Sequence, residues 1–160
     1  MLGLEPRYEI SPRELRAAWM RRAAVEHPDA SGVIDTSARV NDAMRVLSDP
    51  ILRAQALLEL RGMQVSQTAA LPQAFLLEMM ELRERADDAA GDAAALASLR
   101  EEAAGRRASA IAEIARVFAG GEVGAEGVAA VERSILAVRA FDRMLEQLAR
   151  EEQGPEVPHP

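Results

Sequence analysis

Residues 125–151 read AEGVAAVERSILAVRAFDRMLEQLARE, and within them Val128, Val131, Ile135, Val138, Phe141, Leu145 and Leu148 recur at spacings of 3-4-3-3-4-3. That is the period of one apolar stripe along an α-helix, and a lone stripe on so long a helix predicts packing in an antiparallel bundle. Gly120, Gly121 and Gly124 mark the turn before it. Upstream of the turn, residues 93–118 read as a helix about 39 Å long at 1.5 Å per residue. Composition points the same way: 49% of the 160 residues are hydrophobic, 32 are alanine, and only 3% are aromatic. Helix formers dominate and strand formers are scarce. The expected fold class is all-α.

Working back from that helix, Gly91-Asp92 ends a helix that spans about 72–90. Residues 62–71 are polar and read as a linker. Before them, a helix from about Pro50 to Leu60 carries Leu57, Leu58 and Leu60, and Gly62 closes it. Ser48-Asp49-Pro50 separates it from a helix that starts near Thr36 or Ser37 and carries Val40, Ala43, Met44 and Leu47. Ser11-Pro12-Arg13-Glu14 is a complete start signal, with an N-cap serine, proline at N1 and glutamate at N3. The helix it opens runs to about Glu26, where His27-Pro28 stops it, since the residue before proline is pushed out of the helical region. The tail, residues 153–160, is Pro-rich and expected to be disordered.

Several function classes fall away. No run reaches the ~18–20 apolar residues of a membrane span, and the opening residues lack the shape of a signal peptide. There is no cysteine and there are only two histidines, His27 and His159, so neither thiol catalysis nor a protein-made metal site is expected. No cofactor is expected either. A net charge of -7 argues against a nucleic-acid footprint. All 19 positive charges are arginine, and residues 61–160 carry 11 of them against 17 acids. What remains is a helical protein of a reducing compartment, expected in the cytoplasm, whose partners are other proteins.

Two segments draw attention. His27-Pro28-Asp29 lies between two helices, behind an arginine-bearing helix with Arg13, Arg16, Arg21 and Arg22. Taken alone, three residues are most simply a helix end with a solvated histidine, and a His two residues from an Asp makes no triad. The second segment is residues 74–84. Phe75, Met79, Leu82 and Ala86 form one stripe, while Leu76, Leu77 and Met80 form a second apolar face bordered by Glu81, Glu84 and Asp88. A helix with two apolar faces is either buried on both sides or exposes a patch that binds something.

Helix, His-Pro-Asp loop and helix together resemble a J-domain. The run Val40-Asn41-Asp42-Ala43-Met44-Arg45-Val46-Leu47-Ser48-Asp49-Pro50, followed by Ile51-Leu52-Arg53-Ala54-Gln55-Ala56-Leu57-Leu58, is similar to the same stretch of the HscB family, the J-type co-chaperones of iron–sulfur cluster assembly. Asn41 and Arg53 could equally serve only to tie helices together. The 74–84 segment resembles the family's scaffold-binding region. The resemblance implies an abbreviated J-domain over 1–60 with its first helix largely missing, a linker at 61–71, and an antiparallel three-helix bundle over 72–152. It also implies two partners. An HscA/DnaK-class ATPase chaperone would meet His27, Pro28 and Asp29, helped by Arg21 and Arg22. An IscU-like scaffold protein would be held by Leu76, Leu77, Met80, Glu81, Glu84 and Asp88. The expected function is delivery of that scaffold and stimulation of ATP hydrolysis, with no enzymatic activity of the chain's own.

Arg22 and Glu26 stand where the family carries apolar and aromatic residues. A charge at a packed position costs several kcal/mol unless it reaches water. The first helix must therefore turn Ala18 and Val25 inward or pack loosely. A loosened domain would leave a second reading, an interaction protein that binds its partner without stimulating ATP hydrolysis. An enzyme that uses His27 and Asp29 as a general base pair is the remote third.

Overall fold

Side-chain caps set the start of α-helices at Ser11, Asp49 and Asp92. The computed structural model describes residues 2–25, 33–65 and 70–153. It contains helices α1 (Pro12–Val25), α2 (Val33–Ser48), α3 (Pro50–Leu60), α4 (Gln73–Asp88), α5 (Ala93–Ala119) and α6 (Ala125–Gln153), with no strand among the described residues. Ser11 Oγ accepts the Glu14 N–H at 3.1 Å, as the start signal requires, while the Glu14 carboxylate turns to Arg7. The Asp49 carboxylate accepts the N–H groups of Ile51 and Leu52 at 2.8 Å, ahead of Pro50 at N1. Asp92 does the same for Ala94 and Ala95 at 3.0 Å. At the other end of α3, Gly62 adopts φ 74°. Its N–H reaches Glu59 O, and the Met63 N–H reaches Leu58 O, both at 2.9 Å. This is a Schellman closure, for which glycine is the unstrained residue.

α2 begins at Val33, three residues earlier than its polar start signal suggests. Ser and Thr favour caps but do not exclude a helix's first turn, so Thr36 and Ser37 lie inside it. Leu60, read with Leu57 and Leu58, faces solvent instead.

The architecture rests on the antiparallel pair α5–α6. At one end of this pair, Leu96, Leu99 and Ala103 of α5 meet Ala140, Phe141, Met144 and Leu148 of α6, and α4 lays Met79, Leu82 and Ala86 over them. At the other end, Ile114 and Phe118 meet Val131, Ile135 and Val138, and there it is α3 that supplies the third layer, with Ile51, Ala54, Leu57 and Leu58. The α6 stripe is buried as its spacing predicts, with Val128 and Leu145 half-buried and Met144 added. A third, smaller core joins Leu15 and Ala18 of α1 to Val40 of α2 and to Leu2 and Ile10 of the N-terminal segment. Among the described residues, no helix is long and apolar enough to cross a membrane.

Asn41 and Arg53 act as ties. Asn41 Oδ1 accepts the Trp19 indole N–H at 3.2 Å, joining α2 to α1. Arg53 donates to Leu47 O at 2.7 Å and to Tyr8 O at 3.0 Å, so it caps the end of α2 and holds the N-terminal segment. The Tyr8 ring stacks on Phe118, with centroids 5.4 Å apart and planes 9° apart. Arg53 lies over Tyr8, and Arg61 lies over Phe118 while donating to Gly121 O at 3.1 Å. Burial pushes the Tyr8 phenol above its ordinary pKa, against the opposing pull of Arg53.

Urea unfolding should report these contacts. Phe118→Ala is expected to cost about 3 kcal/mol as a buried aromatic truncation, and Asp49→Ala about 1 kcal/mol as a lost cap. A Tyr8→Ala/Phe118→Ala double-mutant cycle should return a coupling of about 1 kcal/mol from the stacked rings.

Candidate partner-docking site

α4 has only one side on which to bury side chains. Facing the end of the α5–α6 pair, it inserts Met79, Leu82 and Ala86, and it sets Phe75 edge-on to Phe141 with centroids 5.5 Å apart. Leu76, Leu77 and Met80 fall on the opposite face and are 50%, 52% and 56% exposed. Burial of the helix on both sides is thereby excluded: three large apolar side chains stand together in water.

The charges of α4 sort by side. Glu78 pairs with Arg106 of α5, which also donates to Glu102 at 2.8 Å. Arg85 forks onto both Glu102 oxygens, at 2.7 and 3.1 Å. That hydrogen bond holds the Glu102 carboxyl below the ordinary glutamate value, and the same pair raises Arg85. Glu81, Glu84 and Asp88 are exposed and form no salt bridge among the described residues, although Glu81 contributes to the field that raises Arg85. Glu78, the acid that faces α5, is paired, and the three acids beside the apolar triad are open to solvent.

Between α4 and α6 the patch deepens into a cavity of about 270 Å³, lined by Phe75, Leu76, Met79 and Met80 from one side and by Ala140 and Arg143 from the other, with Arg83 at its margin. Ala140 and Arg143 were not legible as neighbours of the patch. They lie some sixty residues away, and only the phase of α6 against α4 brings them there. Apart from Arg83 and Arg143 the lining is apolar, so the cavity is suited to holding an apolar side chain.

His27, Pro28 and Asp29 lie outside the described residues, as does Glu26. Arg21 and Arg22 belong to the last part of α1 and are exposed. α1 buries Leu15 and Ala18, with Trp19 partly covered. Packing on the small Ala18 rotates the helix so that Arg22 reaches water, which removes the cost of a charge at that position.

Three kinds of likeness bear on this geometry. Residues 71–149 match the family model of the HSCB C-terminal oligomerisation domain. A co-chaperone protein HscB homolog of Bordetella pertussis is 40% identical over 113 residues, which is 64% of this chain and 66% of that protein. The match thus spans just under two thirds of that relative's length. One from Ralstonia nicotianae is 31% identical over 156 residues, covering 89% of this chain and 88% of the relative. The chain belongs to the HscB co-chaperone family. Solved structures agree on the fold: chaperone HscB from Vibrio cholerae superposes with a TM-score of 0.78 at 23% identity, over 95% of this chain and 94% of the other. Human co-chaperone HscB gives 0.79 at 18% identity, over 97% and 81%. As an HscB-family protein, the chain has its exposed triad inside the segment that the family model covers.

The Arg85–Glu102 fork makes a pH prediction. A carboxyl whose folded pKa is depressed contributes stability above its unfolded pKa and loses it as pH falls through the folded value. Stability should therefore decline from about pH 5 downward. In Glu102→Gln that acid limb should be shallower, read as a smaller difference in urea midpoint between about pH 7 and pH 3. The effect is small, because a pair this exposed is screened by solvent.

Proposed function

We propose that the chain is an adaptor that delivers an IscU-like iron–sulfur scaffold protein to an HscA/DnaK-class chaperone and stimulates that chaperone's ATP hydrolysis. The observation that carries the proposal is the exposed triad Leu76, Leu77 and Met80 on a helix whose other face is buried, with Glu81, Glu84 and Asp88 beside it, which form no salt bridge among the described residues. These are the positions at which the HscB resemblance implies the scaffold patch. The scaffold would bury the triad and offer basic groups to the three acids. Residues 1–60 would act as the J-domain, joined through residues 61–71 to the scaffold-holding bundle at 72–152. His27, Pro28 and Asp29, with Arg21 and Arg22, would engage the ATPase.

Holding both partners on one chain raises the effective concentration of one beside the other, so modest separate affinities suffice. Without cysteine the chain has no thiolate to lend a cluster, and the cluster would stay on the scaffold throughout. The same composition suits the reducing cytoplasm, where we place the activity. The exposed Arg22 and buried Ala18 favour a packed J-domain over a loosened one.

The test is the ATPase rate of the cognate chaperone with scaffold present. Wild type should stimulate it, and Asp29→Asn should abolish stimulation while leaving scaffold binding intact. Leu76→Ala/Met80→Ala should weaken scaffold binding about 30-fold or more, since truncating two anchors removes about 2–4 kcal/mol. Stimulation that survives Asp29→Asn would overturn the J-type mechanism. Undiminished binding by the Leu76/Met80 pair would overturn the patch assignment.

A further inference from the structure

The chain has no cysteine and seven methionines, so every sulfur atom it presents to an oxidant is a thioether. Burial separates the six that lie among the described residues. Met79 and Met144 are buried, at 9% and 2% exposure, and Met44 and Met63 are partly covered within cores, whereas Met80 is 56% and Met20 59% exposed. Met80 stands at the centre of the apolar triad on α4, and its neighbour Met79 faces the opposite way into the core. It also lines the α4–α6 cavity together with Arg83 and Arg143.

We propose that Met80 is an oxidation site that controls docking: peroxide converts its thioether to the sulfoxide and the apolar patch ceases to hold its partner. This rests on the docking role proposed for α4. In the reaction a lone pair of the Met80 sulfur attacks one oxygen of hydrogen peroxide, an S–O bond forms and the O–O bond breaks. The leaving hydroxide takes up the remaining proton as water. Sulfur loses two electrons, peroxide gains two, and no other reactant is needed. The product is a polar, chiral side chain in place of a flexible apolar one. Burying its oxygen against an apolar partner without a hydrogen bond is unfavourable. Arg83 and Arg143, on the walls of the same cavity, offer guanidinium N–H donors to that oxygen, which favours the oxidised side chain folding into the cavity and away from the partner.

Free chain would be treated with hydrogen peroxide, the excess removed with catalase, and the protein mapped by mass spectrometry before mixing with untreated IscU-like scaffold protein. Met80 should oxidise ahead of Met79 and Met144, and prior addition of scaffold should protect it. Affinity for scaffold should fall about tenfold or more, and methionine sulfoxide reductase should restore it. Met80→Leu has no sulfur at this position to oxidise, so its affinity for scaffold, whatever its starting value, should not change on peroxide treatment, which separates Met80 from Met20. Met80→Gln should bind weakly without oxidation. If untreated chain does not bind scaffold, the docking reading fails and this inference falls with it. If untreated chain binds but Met80 resists peroxide, or the oxidised chain binds as tightly as before, the inference alone is overturned.

Discussion

The antiparallel seam between α5 and α6 is the surface to which the rest of the chain is fastened. Two helices of this length pair along one stripe each and still leave a groove on the side where their ridges diverge. Filling that groove takes a third layer along its whole length. A single short helix cannot do so: α4 has 16 residues and α5 has 27. Two helices from different parts of the chain therefore share the task, α4 over one end and α3 over the other. The consequence is structural economy at a cost in separability, because the last helix of the N-terminal region is also a core element of the bundle.

That arrangement explains why α4 can leave an apolar face in solvent. A helix lying on two others buries about a third of its circumference, and the remainder is normally polar. Here the charges that would make it polar are displaced to its flanks. Glu78 and Arg85 are drawn to α5 by Arg106 and Glu102, while Glu81, Glu84 and Asp88 ring the triad. Exposed apolar area of this kind is maintained against the hydrophobic effect because the buried stripe on the other side already holds the helix in place.

Much of this was legible because local chemistry and tertiary packing agree. The α6 stripe, the Ser11 cap, the Asp49-Pro50 start, the Gly62 stop and the two faces of α4 each depend on residues within a few turns of one another. What could not be read depends on distance in sequence. The role of α3 in the bundle core is set by Ile114, Phe118 and Ile135, more than fifty residues away. The proximity of Ala140 and Arg143 to the patch follows from the register of α6. The start of α2 lies three residues before its polar start signal, because the cap preference of Ser and Thr is a tendency and not a boundary. Arg22 illustrates the reverse case. Its charge signalled trouble in a packed helix, and the answer lay in the small Ala18, which lets α1 roll toward its neighbour.

The junction between the two regions then becomes a question of stiffness. A flexible tether would raise the concentration of one bound partner beside the other but would leave their mutual orientation open, and the gain falls as the accessible volume grows. In this chain the N-terminal core is attached in two places. α3 enters the bundle directly, and Tyr8 stacks on Phe118 with Arg53 and Arg61 over the rings. Arg53 is the point where these attachments meet, since one guanidinium serves the end of α2, the Tyr8 carbonyl and the Tyr8 ring. Two attachments resist rotation where one would act as a hinge. Residues 2–25 and 33–60 are thus held against the bundle that carries α4, and a partner docked as proposed on Leu76, Leu77 and Met80 would be presented from a defined direction.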